Sequence, residues 1–314
     1  MSDCKPQEVF NLLHAYSRFG FTPHALLPAA GQEAALRASA FSPQEIAGSL
    51  WALSRLGAVA AAAPLAEAAE QQLVGRGDEF DDRHLALLCW AWSQLGHSPA
   101  PEAAAALLAA VEVRLSGMEA QTLATLAPAL AQMSLPPEAA LELRQGVLPA
   151  ALLARTLEVL PRLKGFEYAQ VVWGLAALGP DPGMGQQLLG EEGLNPAAAQ
   201  ALEGAASRGS ITAGVQLLSA MQRWGRWPEP AFSIICSRLK KTSPGYEFQP
   251  ATLALLGQVL HKAPPPQAAR LSRMRSALRR RAVEAAGEGQ AELPRGGRGD
   301  AGAASAAELS APTL

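Results

Sequence analysis

Charge, aromatic rings, cysteine and β-branched side chains are all scarce in this chain. Charged residues make up 17% of it and aromatic residues 5%, while the apolar 49% is mostly Ala and Leu. With the charged share below the usual quarter and few β-branched residues, the composition is that of helices rather than sheets. The three cysteines, Cys4, Cys89 and Cys236, are far apart and form no C-x-x-C pair. They read as free thiols, with Cys89 in a helix core. The five histidines are scattered, and His84 and His97 are not at ligand spacing, so no metal site is expected. No run of 18 apolar residues exists to cross a membrane. The opening Met1-Ser2-Asp3-Cys4-Lys5-Pro6 carries no secretory or transit-type leader, and a repeat begins almost at once. That start reads as a fragment or as a chain lacking its natural beginning.

Catalytic signatures are missing too. Neither a Gly-x-Ser-x-Gly elbow nor a Ser/His/Asp or Cys/His set occurs, and Gly183-x-Gly185 lacks the strand and further glycines of a phosphate loop. Glu167, Glu191 and Glu192 do not form the carboxylate cluster that RNA cleavage would need. The expectation is a protein that is not an enzyme, with no cofactor, no small-molecule substrate and no membrane partner.

What the chain does contain is a recurring phrase. Tyr16-Ser17-Arg18-Phe19-Gly20, Trp51-Ala52-Leu53-Ser54-Arg55-Leu56-Gly57, Trp90-Ala91-Trp92-Ser93-Gln94-Leu95-Gly96 and Trp173-Gly174-Leu175-Ala176-Ala177-Leu178-Gly179 repeat one pattern. Taking the last residue as anchor gives Gly20, Gly57, Gly96, Ser134, Gly179, Gly225 and Ala263, with spacings of 37, 39, 38, 45, 46 and 38 residues. Such a period means stacked supersecondary units, each contacting only its neighbours. The predicted fold is all-α, an α-solenoid of about seven helix-turn-helix repeats of roughly 38 residues over 1–286. Pro6-Gln7-Glu8-Val9 and Pro43-Gln44-Glu45-Ile46 mark two helix starts, with Phe41 or Ser42 as the N-cap region and Gly57 as a C-terminal stop.

Positions eleven, seven, four and one before each anchor are nearly all apolar and share one arc of the first helix. Val9, Leu13, Tyr16 and Phe19 lead that buried seam, followed by Ile46, Leu50, Leu53 and Leu56, and so on along the chain. Second helices are predicted near 23–37, 62–75, 100–115, 138–160, 192–206, 228–241 and 266–285, with 180–190 an inserted loop. From 287 to 314 the Gly/Ala-rich tail has no apolar period and is expected to be disordered.

Positions thirteen, nine, five and two before the anchor fall on the opposite arc and would form a ladder across the repeats. Its polar rungs include Gln7, Asn11, Arg18, Gln44, Arg55, Arg83, Gln94, Gln121, Thr125, Gln132, Gln170, Thr212, Gln216, Arg223 and His261, with mostly small residues between them. None of its 28 positions is acidic. Such side chains hydrogen-bond base edges and phosphates while letting a strand approach; alternatively, they are solvated rungs beside small residues that let helices pack. The charge is also uneven. Residues 1–237 carry 14 basic against 22 acidic groups, whereas 238–281 carry ten basic groups and Glu247 alone. Within that segment Arg270, Arg273, Arg275, Arg279, Arg280 and Arg281 are candidates for phosphate contact, or a nuclear-localisation patch or solvated helix.

The segment Ser42-Pro43-Gln44-Glu45-Ile46-Ala47-Gly48-Ser49-Leu50-Trp51-Ala52-Leu53-Ser54-Arg55-Leu56-Gly57, echoed at 84–96 and 167–179, resembles the repeat of the octotricopeptide-repeat proteins. The helical repeats of FAST-kinase-like and RAP-domain proteins look similar. The resemblance implies an α-solenoid that binds single-stranded RNA in a chloroplast or mitochondrion. Its implied role is transcript stability, processing or translation, alongside other organellar gene-expression proteins. One base per repeat would give a footprint of roughly seven nucleotides. The competing expectation, drawn from the acidic balance of 1–237, is a scaffold that holds a peptide or partner helix in a groove.

Overall fold

A computed structural model describes residues 3–179, 181–189, 211–241, 250–274 and 276. Every regular element among the described residues is helical, and none is a strand. The chain falls into two compact units, one running to Val159 and the other starting at Leu160.

In the first unit α1 (Pro6–Phe19), α3 (Pro43–Arg55), α5 (Asp82–Leu95) and α7 (Ala120–Gln132) pack side by side as one layer. The second helices α2 (Leu26–Leu36), α4 (Val59–Arg76), α6 (Pro101–Arg114) and α8 (Pro137–Gln145) form the other layer, with α9 (Leu148–Val159) against α7 and α8. The predicted helix of 138–160 is therefore two helices. It divides at Gly146, whose extended backbone and lost side chain end α8.

Local chemistry fixes where the first helices begin. Ser42 Oγ accepts from the Glu45 backbone N–H while the Glu45 carboxylate takes the Ser42 N–H at 2.8 Å, a reciprocal box that satisfies two donors otherwise orphaned at a helix start. Glu8 takes the Lys5 N–H at 2.8 Å, and Asp81 takes the His84 N–H at 2.8 Å. At the other end Gly20, Gly57, Gly96 and Gly225 have φ of 64 to 67°, the left-handed turn that only glycine adopts cheaply. Gly179 differs. Its φ of −144° is extended, so the anchor of that repeat ends a helix without a left-handed cap.

Most of the predicted seam is buried, including Val9, Leu13, Ile46, Leu50, Leu53, Leu85, Cys89, Trp92, Leu123 and Leu130. Phe19 departs from it at 85% exposure. It stands on the last residue of α1, where the chain turns away at Gly20, and the matching Leu56 and Leu95 are only half-buried.

In this unit an arginine at the end of α2, α4 and α6, and one within α9, reaches back to the segment that leads into the first helix of its own repeat. Arg37 Nη1 donates to the Cys4 carbonyl at 2.9 Å, and Arg76 Nη2 donates to the carbonyls of Ala38, at 3.3 Å, and Phe41. Arg114 Nη2 donates to Gly77 at 3.3 Å and Asp78 at 2.8 Å, and Arg155 Nε to Met118 at 3.0 Å. The accepting carbonyls lie just ahead of a first helix, most of them in or beside the short 3₁₀ turns at 38–40, 77–79 and 115–117. A charged donor on a backbone carbonyl is worth about 1.5–3 kcal/mol, so these links fasten the end of each repeat to the turn that leads into it.

The second unit repeats the side-by-side arrangement with α10 (Gly165–Leu178), α12 (Ile211–Trp224) and α14 (Pro250–Lys262), and α13 (Glu229–Lys241) packs on α12. Residues 182–189, predicted as loop, form helix α11 (Pro182–Leu189). Asp181 supplies its start, accepting from the Gly183 N–H at 2.8 Å ahead of Pro182 in the first turn. Gly185 then lies against the Trp224 ring, which a Cβ there would meet at 2.9 Å. A further helical stretch covers 265–274. The predicted helix at 192–206, the end of the helix at 266–285 and the tail 287–314 lie outside the described residues.

Candidate nucleic-acid interface

In the first unit the first helices run parallel and in register, because equivalent positions meet. Phe10 covers Gly48 of the next helix so closely that a Cβ would clash with the edge of its ring. His14 stacks on Trp51 with ring centroids 5.7 Å apart, Trp51 lies 6.2 Å from Trp90, and Arg55 Nε donates to the Ser17 carbonyl at 3.2 Å. These contacts fill the grooves between neighbouring helices.

That lateral packing divides the predicted ladder. Position thirteen is open to solvent at Gln7, Gln44, Arg83 and Gln121, and position two is exposed at Arg18 and Gln132 and half-buried at Arg55 and Gln94. Between them the rungs close. Asn11 on α1 is exposed, but Gly48, Leu87 and Thr125 are buried, as are Ala52, Ala91 and Ala129. Thr125 is 8% exposed and spends its hydroxyl on the Gln121 carbonyl at 3.1 Å, so it is not a free reading group. The face is thus two polar rims, eleven residues or roughly 16 Å apart along each helix, flanking a closed apolar floor.

The floor contains residues that the ladder omitted, six before the anchor, His14, Trp51 and Trp90, and in the second unit Trp173 holds the same position on α10. Spacings of seven, four and three put that position on the same arc as thirteen, nine and two. The recurring Trp of the phrase was the available signal. Trp51 has 0% exposure and Trp90 8%, so both rings serve packing. A serine three residues on returns its hydroxyl to each carbonyl: Ser17 to His14 at 2.8 Å, Ser54 to Trp51 at 2.9 Å and Ser93 to Trp90 at 2.8 Å. The recurring arginines Arg37, Arg76, Arg114 and Arg155 were missed as well, although their spacings of 39, 38 and 41 are visible in the chain.

Electrostatically the two layers of this unit differ. The exposed Glu67, Glu102, Glu112, Glu138 and Glu142 all stand on second helices. On the first helices the carboxylates are confined to the first turn, at Glu8, Glu45 and Asp82, and the first two are held in capping bonds. Arg18 is exposed. Arg55 lies 5.6 Å over the Trp51 ring. Burial, helped by the Arg18 charge, holds His14 below its ordinary range, so it is neutral at pH 7. Burial outweighs Asp81 and Asp82 to lower His84 in the same way.

In the second unit Arg223, His261 and Arg273 are exposed, and Gln170 and Thr212 half-buried. Gln216, with 4% exposure, is buried inside the helix layer and does not reach solvent. Arg270 is engaged: it pairs with Glu229, donates to Ser233 Oγ at 3.1 Å and lies 4.8 Å over the Phe232 ring. Its fork is therefore spent within the protein. Arg275, Arg279, Arg280 and Arg281 lie outside the described residues. Among the described residues no group of three or more His, Cys, Asp and Glu is placed to hold a metal, and no helix is long and apolar enough to cross a membrane. Burial pushes the Cys89 thiol well up, the opposite of what a nucleophile needs.

Two layers of paired helices with a recurring arginine link define a helical-repeat protein. Residues 1–180 match the family model of the Tbc2 translation factor N-terminal domain. That is more than half of the chain, and the chain belongs to this family. The matched span covers the whole first unit and α10. No curated protein matches the chain.

Proposed function

We propose that this chain is an octotricopeptide-type repeat protein that binds single-stranded RNA. Its expected setting is a chloroplast or mitochondrion, where it acts on the stability, processing or translation of a transcript. It works by occupying RNA, without catalysis, and other organellar gene-expression proteins are its expected company. The observation that carries this reading is the separation of charge between the layers of the first unit. The net acidity of the chain would repel phosphate, yet beyond the first-helix starts and the connecting turns the exposed carboxylates of this unit stand on the second helices and α9. Beyond its first turn no first helix of the unit holds an acid, and two successive ones end in Arg18 and Arg55. A polyanion therefore has one face it can approach. Membership in a translation-factor family supports an RNA-linked role.

The test is binding of the full chain to a random single-stranded RNA pool at two salt concentrations, with the retained sequences read out. Enrichment of a short motif, with affinity that falls as salt rises, supports the reading. Absence of binding at low salt overturns it in favour of a peptide-holding scaffold.

A further inference from the structure

The two rims of the first unit are chemically unlike, and this carries a more specific inference, which rests on the RNA-binding reading above. At the rim formed by the starts of the first helices, the amides Gln7, Gln44 and Gln121 stand beside carboxylates: Glu8, Glu45, Glu119, and Asp81 and Asp82 next to Arg83. The helix dipole alone would attract phosphate here, but it amounts to about half a charge, and each carboxylate is a full one. One first-turn backbone donor at each of α3 and α5 is moreover already taken, the Glu45 N–H by Ser42 Oγ and the His84 N–H by Asp81.

At the opposite rim the last two turns of α1, α3, α5 and α7 contain no acid. Arg55 is held there in a fixed attitude. Its Nε is bonded to the Ser17 carbonyl at 3.2 Å and its guanidinium lies over Trp51, which together hold the charged group at the half-buried end of α3. Ser17 is the neighbour of the exposed Arg18. The charge of Arg18 is felt at His14, which stacks on Trp51 beneath Arg55, so the cations of two successive repeats both stand on the helix-end rim beside α1.

We propose that RNA crosses the first unit with its phosphates along the rim of helix ends, seated between Arg18 and Arg55. Its base edges are directed toward the rim of helix starts, where Gln7 and Gln44 read them. The apolar floor spaces the two and excludes water beneath the sugars.

The experiment compares salt dependence and sequence preference for the full chain and single variants on an RNA retained from the pool. Arg18→Gln and Arg55→Gln are expected to weaken binding to all sequences alike. Each should reduce the slope of log affinity against log salt by about 0.7, the value for one lost single-strand phosphate contact. Gln7→Ala and Gln44→Ala are expected to keep the wild-type slope and to lose about tenfold in preference at one base position. Arg18 is exposed, so its variant folds even if Arg55→Gln disturbs the helix end. If wild type binds RNA and the glutamine variants shift the slope, or the arginine variants leave it unchanged, the strand orientation is wrong and the RNA-binding reading survives. If wild type binds no RNA at any salt concentration, both fall.

Discussion

Arg76, at the end of one repeat's second helix, donates through Nη2 to the backbone carbonyl of Phe41, the residue just ahead of the helix start of the same repeat's first helix. Arg114 does the same one repeat later, on Gly77 and Asp78. The Gly77 carbonyl also accepts from the Phe80 N–H at 3.3 Å, so the arginine braces the short turn that leads into the first helix. Arg114→Ala is expected to lower unfolding free energy by about 2 kcal/mol, read from the denaturant midpoint. Arg114→Lys recovers only part of this, because a single Nζ must stand in for Nη2 while the Nη1 bond to the Ala110 carbonyl is lost.

Packing between first helices gives a second outcome. Gly48→Ala adds helix propensity, worth about 0.5–1 kcal/mol on its own, but brings a methyl group well inside contact distance of the edge of the Phe10 ring. Overpacking costs typically 1–3 kcal/mol, so the variant is expected to be destabilised. In a Phe10→Ala background the same substitution should turn neutral or favourable, and a double-mutant cycle by thermal or urea unfolding measures the coupling.

The anchors that look alike in sequence should respond differently. Gly57 has φ of +67°, whereas Gly179 has φ of −144°, and an added Cβ meets nothing within 4 Å at either. Gly57→Ala is therefore expected to cost about 1 kcal/mol through backbone strain alone. Gly179→Ala should stay within about 0.5 kcal/mol of wild type.

Much of this fold can be read from the chain because its signals are local. The N-terminal boxes at Ser42 and Glu45, the left-handed glycines at 20, 57, 96 and 225 and the 38-residue period all act within one helix pair. The candidate face was only half legible for the opposite reason. A helical wheel places Thr125, Gln216 and the small residues at positions nine and five on an outer arc, but it does not contain the neighbouring helix. Once Phe10 covers Gly48 and Trp51 meets Trp90, the middle of that arc is interior. Arg270 was misjudged similarly: its partners Glu229 and Ser233 are 41 and 37 residues away, one repeat back, where sequence proximity gives no hint.

Acid should loosen the first unit. His14 and His84 are both held below their ordinary value, mainly by burial, whereas in the unfolded chain each titrates near pH 6.5. The folded state then binds fewer protons than the unfolded one across that window. Their contribution is complete above about pH 6.5 and is lost as pH falls through the lowered folded values. The urea midpoint is expected to be flat from pH 8 to 7 and to decline toward pH 5. His14→Phe, which keeps a ring against Trp51, should make the decline shallower; an equally steep decline would show that His14 does not contribute.

The central claim is that RNA lies on the first-helix layer, and the most direct measurement is photo-cross-linking of a bound single-stranded RNA to the full chain with the adducts mapped to residues. For the first unit, the account predicts adducts on α1, α3, α5 and α7, concentrated at their two ends around Gln7, Arg18, Gln44 and Arg55. Adducts confined to the second helices around Glu67, Glu102 and Glu112, or no adduct under conditions where RNA is retained, would contradict it.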